Sequence, residues 1–161
     1  MTTTEREMTP SEHAAAKRAE IQARAAEIGV DHAYVSALVE EFYRRIRAHE
    51  QLGPIFEDEI GQDWRTHLEK MKRFWASVVL NTGAYSGKPV PAHQKLHGVG
   101  EWHFGLWLDL FRETLADTAP TEAAAALFAD RAERIATSLK LAMFDRFVPR
   151  FPTPPAGSAP R

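Results

Sequence analysis

Two histidines four residues apart, His93 and His97, follow a stretch rich in proline and glycine, GKPVPAHQKLH. If this stretch forms a helical turn, both imidazoles lie on one face and could bind the same metal ion. His103 or Glu101 could complete such a set, which would suit zinc. The pattern HExxH is absent, however, and no carboxylate stands at a diagnostic interval from the histidines. The spacing therefore supports a zinc site only weakly.

Three polar aromatic side chains occupy apolar positions of predicted helices, namely Tyr43, His67 and Trp107. Each alone is explained by ordinary core packing, because a buried phenol or imidazole commonly bonds only to the backbone. Together, on three different helices, they could also supply hydrogen-bond donors to a shared pocket. A haem iron needs a single axial histidine and a wide apolar pocket, and such donors could then bond to a diatomic ligand. The residues alone leave zinc and haem open, and also the choice between His93 and His97.

Helical periodicity and capping residues predict the elements of the first half of the chain. Thr9 and Glu12 of TPSE form a capping-box pattern, so a helix should begin there and end at about Gly29. A second helix should begin at Asp31 and end near EQLGPIF, whose Gly-Pro pair is expected to turn the chain.

The second half follows the same pattern around one irregular segment. A third helix is predicted after Asp63, and the helical period is then lost from Asn81 to Gly100, with room for one turn at PAHQKLH. A fourth helix with an apolar face follows, and a fifth should start near Thr121. No strand-like alternation of any length occurs, so the predicted class is all-α.

Composition narrows the function classes. The chain has 20 basic and 22 acidic residues and a formal net charge of -2, so it lacks the basic surface that nucleic acid requires. It has no cysteine, which excludes thiolate nucleophiles and iron–sulfur clusters. No stretch approaches the roughly 20 apolar residues of a membrane span, and no signal-peptide core is present. We expect a cytoplasmic protein.

The run from FYRRIRAHEQLGPIF through DWRTHLEKMKRFWASVVLNTGAYSGKPVPAHQKLH to FGLWLDLFRETL resembles the truncated haemoglobins of group III. These are small bacterial globins with a two-over-two helical sandwich around haem b. The absence of a Gly-Gly pair agrees with group III, since the other groups are marked by paired glycines. The resemblance implies a truncated globin domain over 31–147, an extra N-terminal helix within 1–30, and a Pro-rich, disordered tail over 148–161.

The resemblance also implies roles for individual residues. His93 corresponds to the proximal histidine that ligates the haem iron, which makes His97 dispensable for haem binding. Lys70, Lys72 and Arg73 are candidates for the haem propionates, although a solvated helix face explains them better. The implied distal ligand-binding residues are Tyr43, His67 and Trp107, and the implied pocket-packing residues are Phe56, Met71, Phe74 and Trp75.

The function that the resemblance implies is binding of O2, NO or CO at ferrous iron. The resemblance is compatible with NO dioxygenation, with peroxide reduction and with oxygen transport. The two redox reactions would need an external reductase, because the sequence lacks the GxGxxG fingerprint of a dinucleotide-binding site. Whether the protein is an enzyme stays open. Two alternatives remain: a zinc hydrolase that uses His93, His97 and His103, and a cofactor-free helical interaction module.

Overall fold

The computed structural model describes residues 6–83, 85, 87, 89–94, 96 and 98–144. Over these residues the chain is helical and contains no strand, which confirms the all-α prediction. His97, residues 145–147 of the predicted globin domain and the predicted tail over 148–161 lie outside the described residues. The helices are α1 (Pro10–Glu27), α2 (His32–Ala48), α3 (Leu52–Ile60), α4 (Trp64–Leu80), α5 (Pro89–Gln94), α6 (Glu101–Thr118) and α7 (Glu122–Met143).

The predicted helix starts coincide with side-chain caps. Thr9 and Glu12 form the reciprocal capping box at α1, with Glu12 N donating to Thr9 Oγ1 over 3.2 Å and Thr9 N donating to Glu12 Oε2 over 2.8 Å. The side chains of Asp31, Asp63 and Thr121 accept from backbone N–H groups at the starts of α2, α4 and α7. Each cap satisfies a donor that has no partner within its own helix, which is why these starts were predictable from local sequence.

The Gly-Pro pair of EQLGPIF lies inside a helix, so the prediction that it merely turns the chain was wrong. Gly53 and Pro54 belong to the first turn of α3, where proline needs no N–H donor. A Cβ on Gly53 would lie 2.9 Å from the carbonyl oxygen of Arg47, so glycine allows α3 to approach the end of α2. The imidazole of His49 caps α3, because its Nδ1 accepts from the backbone N–H groups of Gln51 and Leu52 at 3.2 and 3.1 Å.

Four helices build two layers. Helix α2 packs beside α4, α6 packs beside α7, and the two pairs meet where α2 contacts α6 and α4 contacts α7. This is the expected two-over-two arrangement. Its centre is aromatic: the ring of Phe111 stacks on those of Trp75 and Trp107, with centroids 5.1 and 5.4 Å away. None of the described helices is both long and apolar enough to cross a membrane.

Helix α1 is attached to the end of α4 by two side chains. Arg18 Nε donates to the carbonyl oxygen of Asn81, and Gln22 Nε2 donates to that of Leu80, each over 3.0 Å. The last carbonyls of a helix have no partner within it, so α1 acts as an external cap for α4.

Candidate functional site

A cavity of about 430 Å³ lies between the helices and takes wall residues from α2 through α7. Its volume falls in the range of protein sites for organic ligands, and most of its wall is apolar. The structure thus brings together around this cavity the eight residues predicted to ligate the iron, bind the gas or pack the pocket: His93, Tyr43, His67, Trp107, Phe56, Met71, Phe74 and Trp75.

His93 is presented to the cavity by the short helix α5. Its Nδ1 lies 2.6 Å from the carbonyl oxygen of Pro89. Since a carbonyl oxygen only accepts, Nδ1 must carry the proton of the neutral imidazole, and Nε2 keeps its lone pair. A metal-ligating histidine typically has its other ring nitrogen fixed in this way.

Tyr43 and His67 form an aromatic pair on another part of the wall. Their ring centroids are 5.0 Å apart and the rings are nearly perpendicular, at 77°. Tyr43 is only 5 % exposed, and burial raises the pKa of its hydroxyl. The phenol therefore keeps its proton at neutral pH and remains a hydrogen-bond donor.

Nε2 of His67 is buried and has no hydrogen-bond partner among the described residues. Burial lowers the pKa of this imidazole to about 4, with smaller contributions from the charges of Lys70 and His93. The ring is therefore neutral at pH 7. A buried polar atom without a partner costs about 1–3 kcal/mol, so this nitrogen marks a place where a ligand would be stabilised.

Trp107 contributes an indole whose orientation is fixed by its neighbours. Its ring lies parallel to that of Phe111, at 1°, and meets the ring of Phe42 edge-on at 5.5 Å. Because the ring is half-buried and borders the cavity, its N–H is a further donor near the site.

The remaining predicted wall residues provide apolar surface. Phe56 of α3 packs against Tyr43 with centroids 6.0 Å apart, and Phe74 of α4 packs edge-on against Tyr85 at 5.1 Å. Met71 and Trp75 complete this side of α4. Such a wall suits a large flat apolar group better than a hydrated ion.

The three basic candidates for propionate binding separate in the structure. Lys70 borders the large cavity. Lys72 instead forms an ion pair with Glu40 at 2.5 Å, and Arg73 lies with Lys72 on a smaller cavity of about 170 Å³. Lys70 is thus the one of the three placed to meet a group in the large cavity.

The zinc interpretation gains no support from the described residues, among which no three His, Asp or Glu side chains could hold a metal ion. His97 is not among them. His103 borders the cavity, but its Nδ1 accepts from the N–H of Gly100 over 2.8 Å and so caps α6. Glu101 is exposed and does not border the cavity.

Several wall residues were not predicted as part of the site. His103 was considered only as a zinc ligand, and Ile135 and Leu139 of α7 were not singled out, although all three border the cavity. The signal that could have placed His103 is its position four residues before Trp107 on one helix, which puts both on the same face.

The described residues fit a haem group. The cavity is mostly apolar, one imidazole presents a free lone pair, and the buried Nε2 of His67 lacks a partner. A haem iron needs one imidazole with a free lone pair, which His93 offers. The Nε2 of His67 is available for a hydrogen bond to a bound molecule.

Comparisons with known proteins agree with this fit. A model of the bacterial-like globin family matches residues 26–145. A group 3 truncated haemoglobin of Campylobacter jejuni is 38% identical over 84 residues, which cover 50% of this chain and 66% of that protein. The crystal structure of the group III truncated haemoglobin from Campylobacter jejuni aligns with a TM-score of 0.68 and 31% identity, over 71% of this chain and 92% of that one.

Proposed function

The chain belongs to the bacterial-like globins and, within them, to the group III truncated haemoglobins, and from that membership we propose that it is a haem b protein whose iron is held by His93. As a globin it binds haem and small diatomic gases. The proposal concerns the type of haem, the residues that hold it and the chemistry that follows. We also propose that the protein is cytoplasmic and has no nucleic-acid or membrane partner.

The observation that carries the proposal is the hydrogen bond from Nδ1 of His93 to the carbonyl oxygen of Pro89. This bond fixes the orientation of the ring and leaves the lone pair of Nε2 available to a metal ion. A single imidazole of this kind is what a five-coordinate haem iron requires.

Haem, when bound, supplies an iron with one open coordination position for O2, NO or CO. Tyr43 and Trp107 offer donors to the gas, and neutral His67 offers its unpartnered Nε2. Met71 and Phe74 contribute apolar wall to the same cavity. Lys70, at the cavity wall, is placed to bind a propionate carboxylate.

The polar pair of Tyr43 and His67 favours NO or O2 redox chemistry over simple transport. Two polar groups 5.0 Å apart, ring to ring, would retain a ligand that gains partial negative charge. NO dioxygenation and peroxide reduction are the reactions proposed, with electrons from an external reductase. A protein that bound NO and O2 without turning over either would be a ligand carrier.

The test is the ultraviolet–visible spectrum of the purified protein, with and without CO. Wild-type protein should show a Soret band that shifts with CO. His93→Ala should lose haem or need added imidazole to retain it, because the variant lacks the imidazole proposed to hold the iron.

Two variants are matched controls. His103→Gln removes a histidine of α6 that borders the cavity but keeps an acceptor for the N–H of Gly100, and His97→Ala removes the histidine four residues after His93 in the sequence. Both should keep the wild-type spectrum. An unaltered Soret band in His93→Ala would exclude His93 as the axial ligand.

A further inference from the structure

Three side chains form a clasp on the surface beside the cavity: Arg47 at the end of α2, Glu57 in α3 and Trp64 at the start of α4. Nε of Arg47 lies 3.1 Å from Oε1 of Glu57. The indole Nε1 of Trp64 donates to Oε2 of the same carboxylate over 3.3 Å. The guanidinium carbon of Arg47 lies 4.5 Å from the centre of the Trp64 ring, so each member contacts both of the others.

The inner side of the clasp is the aromatic pair of the cavity. Trp64 is only 7 % exposed, and its ring centroid lies 6.2 Å from that of Tyr43 and 6.1 Å from that of His67. Arg47 and Glu57, by contrast, are about half exposed, at 50% and 45% of their side-chain surface. The indole therefore connects a charged pair in solvent with the two polar rings at the site.

The geometry makes the indole orientation dependent on Glu57. One carboxylate oxygen binds the indole N–H and the other binds Arg47, whose guanidinium lies over the same ring. Charge-assisted hydrogen bonds and cation–π contacts both restrict ring rotation. Without the carboxylate, the indole N–H of Trp64 loses its hydrogen bond. The guanidinium of Arg47, which lies over the Trp64 ring, also loses its ion pair.

His67 is unusually dependent on its ring neighbours. Its Nε2 makes no hydrogen bond to a described residue, so that atom does not hold the imidazole in place. Among the described residues, its aromatic contacts are edge-on packing against Tyr43 and Trp64, at 77° and 84°. A change in the Trp64 ring is therefore transmitted to His67 and to Tyr43.

We propose that the Arg47–Glu57–Trp64 clasp is a positioning device for the distal pair, through which a surface ion pair sets how strongly Tyr43 and His67 hold a gas ligand. This inference rests on the distal roles proposed above. The clasp residues act through the pair and do not touch the ligand. Because Arg47 and Glu57 face solvent, salt should weaken the clasp, and gas retention should depend on ionic strength.

The experiment compares Glu57→Gln with Asp58→Asn in the haem-loaded protein. Both variants lose one negative charge, but Asp58 is exposed and forms no ion pair with another described residue. The readouts are the O2 dissociation rate and the Fe–CO stretching frequency, which reports hydrogen bonding to the bound gas. Glu57→Gln should change the dissociation rate about three- to tenfold and shift the frequency. Asp58→Asn should change neither.

Salt provides a second measurement. Raising ionic strength from about 0.01 M to about 1 M, where the screening length falls from about 30 Å to about 3 Å, should move wild-type O2 dissociation toward that of Glu57→Gln and leave that variant nearly unchanged. Trp64→Phe keeps an aromatic ring but removes the N–H, so it should reproduce the shift of Glu57→Gln.

Wild-type rates and frequencies in both Glu57→Gln and Trp64→Phe would overturn the inference, as would equal effects of Glu57→Gln and Asp58→Asn. If instead wild-type protein shows no CO-sensitive Soret band, the proposed function itself fails. If Tyr43→Phe and His67→Leu leave the Fe–CO frequency unchanged, the distal roles fail, and the clasp inference fails with them. The tests therefore separate the three claims.

Discussion

His93 and His103 border the same cavity, yet backbone contacts give them opposite chemistry. Nδ1 of His93 donates to a carbonyl oxygen, whereas Nδ1 of His103 accepts from the N–H of Gly100. In the neutral rings, Nε2 of His93 therefore carries a lone pair and Nε2 of His103 carries the proton. Only the first can ligate a metal while its backbone contact persists. The backbone contacts thus favour His93 over His103 as the proposed metal ligand.

Also at the scale of residues, we expect the proposed distal donors, Tyr43 and Trp107, to slow the release of bound O2. Tyr43→Phe and Trp107→Phe each remove one donor while keeping an aromatic ring. Hydrogen bonds to a partly charged group contribute about 1.5–3 kcal/mol, so each variant should change O2 dissociation by about ten- to a hundredfold. Stopped-flow measurement of O2 release would give the rates. Tyr34→Phe is the control, because its hydroxyl bonds to Thr118, and Tyr34 does not border the cavity. Wild-type rates in both distal variants would remove their proposed roles.

His67 predicts a pH dependence of stability in the haem-free protein. Its pKa is lowered to about 4 in the folded state, chiefly by burial, from an ordinary value near 6.5. The unfolded chain therefore binds more protons between these values, and the free energy of unfolding falls as pH falls from 6.5 toward 4. After allowance for partial exposure of the ring, the loss should be about 1–2 kcal/mol.

Urea unfolding at several pH values would measure this loss. His67→Leu should show a smaller decrease than wild type over the same window, because it removes the group that titrates. An equal decrease in both proteins would show that other groups cause the acid sensitivity.

At the scale of elements, local sequence predicted most helix starts but not the contacts between helices. Thr9, Asp31 and Thr121 cap the helix that follows them directly, so their effect is readable from a few residues. Helix α3 was missed because a Gly-Pro pair usually breaks a helix. Glycine is needed at position 53 because the carbonyl oxygen of Arg47, in α2, leaves no room for a Cβ, and this contact cannot be read from the local sequence. The polar site residues were found because they interrupt apolar stripes. The Arg47–Trp64 contact has no such local signal.

At the scale of elements, the turn between α1 and α2 should require glycine at position 29. Gly29 has a φ of +87°, and a Cβ there would lie 2.7 Å from Cγ of Pro120. Gly29→Ala should therefore destabilise the protein by about 1–3 kcal/mol, through backbone strain and the clash with Pro120 in the turn before α7. Chemical denaturation would measure the change.

Gly105→Ala is the matched control. Gly105 lies within α6, and an added Cβ would meet nothing within 4 Å. The same substitution there should stabilise the protein by about 0.5–1 kcal/mol, since alanine favours the helix. Destabilisation of equal size at both positions would contradict the proposed cause.

At the scale of the whole molecule, nearly all of α1 precedes the segment that matches the globin family, which begins at residue 26. It is bonded to the end of α4, the helix that also carries His67, Met71 and Phe74. The hydrogen bonds join residues 58 and 63 positions apart in the chain. An extra N-terminal helix was predicted from the sequence, but this contact was not, since no local pattern specifies a partner so distant.

Haem should stabilise the whole fold, because its cavity is formed by six of the helices. At a thousandfold excess over its dissociation constant, a ligand that binds only the folded state adds about 4 kcal/mol. For a chain of this size the thermal midpoint should rise by about 10 °C. Differential scanning calorimetry with and without haem would show the shift, and His93→Ala should show a smaller one. An unchanged midpoint in wild-type protein would favour the cofactor-free interaction module.

The prolines of α5 have a consequence for the free chain as well. Proline fixes φ near the helical value before folding, and Pro89 and Pro91 both precede the imidazole within six residues of helix. The chain therefore gives up less conformational entropy when His93 takes its place than a flexible loop would. These prolines thus stabilise the part of the cavity wall that carries His93 by restricting the unfolded chain, which has less conformational freedom to lose on folding.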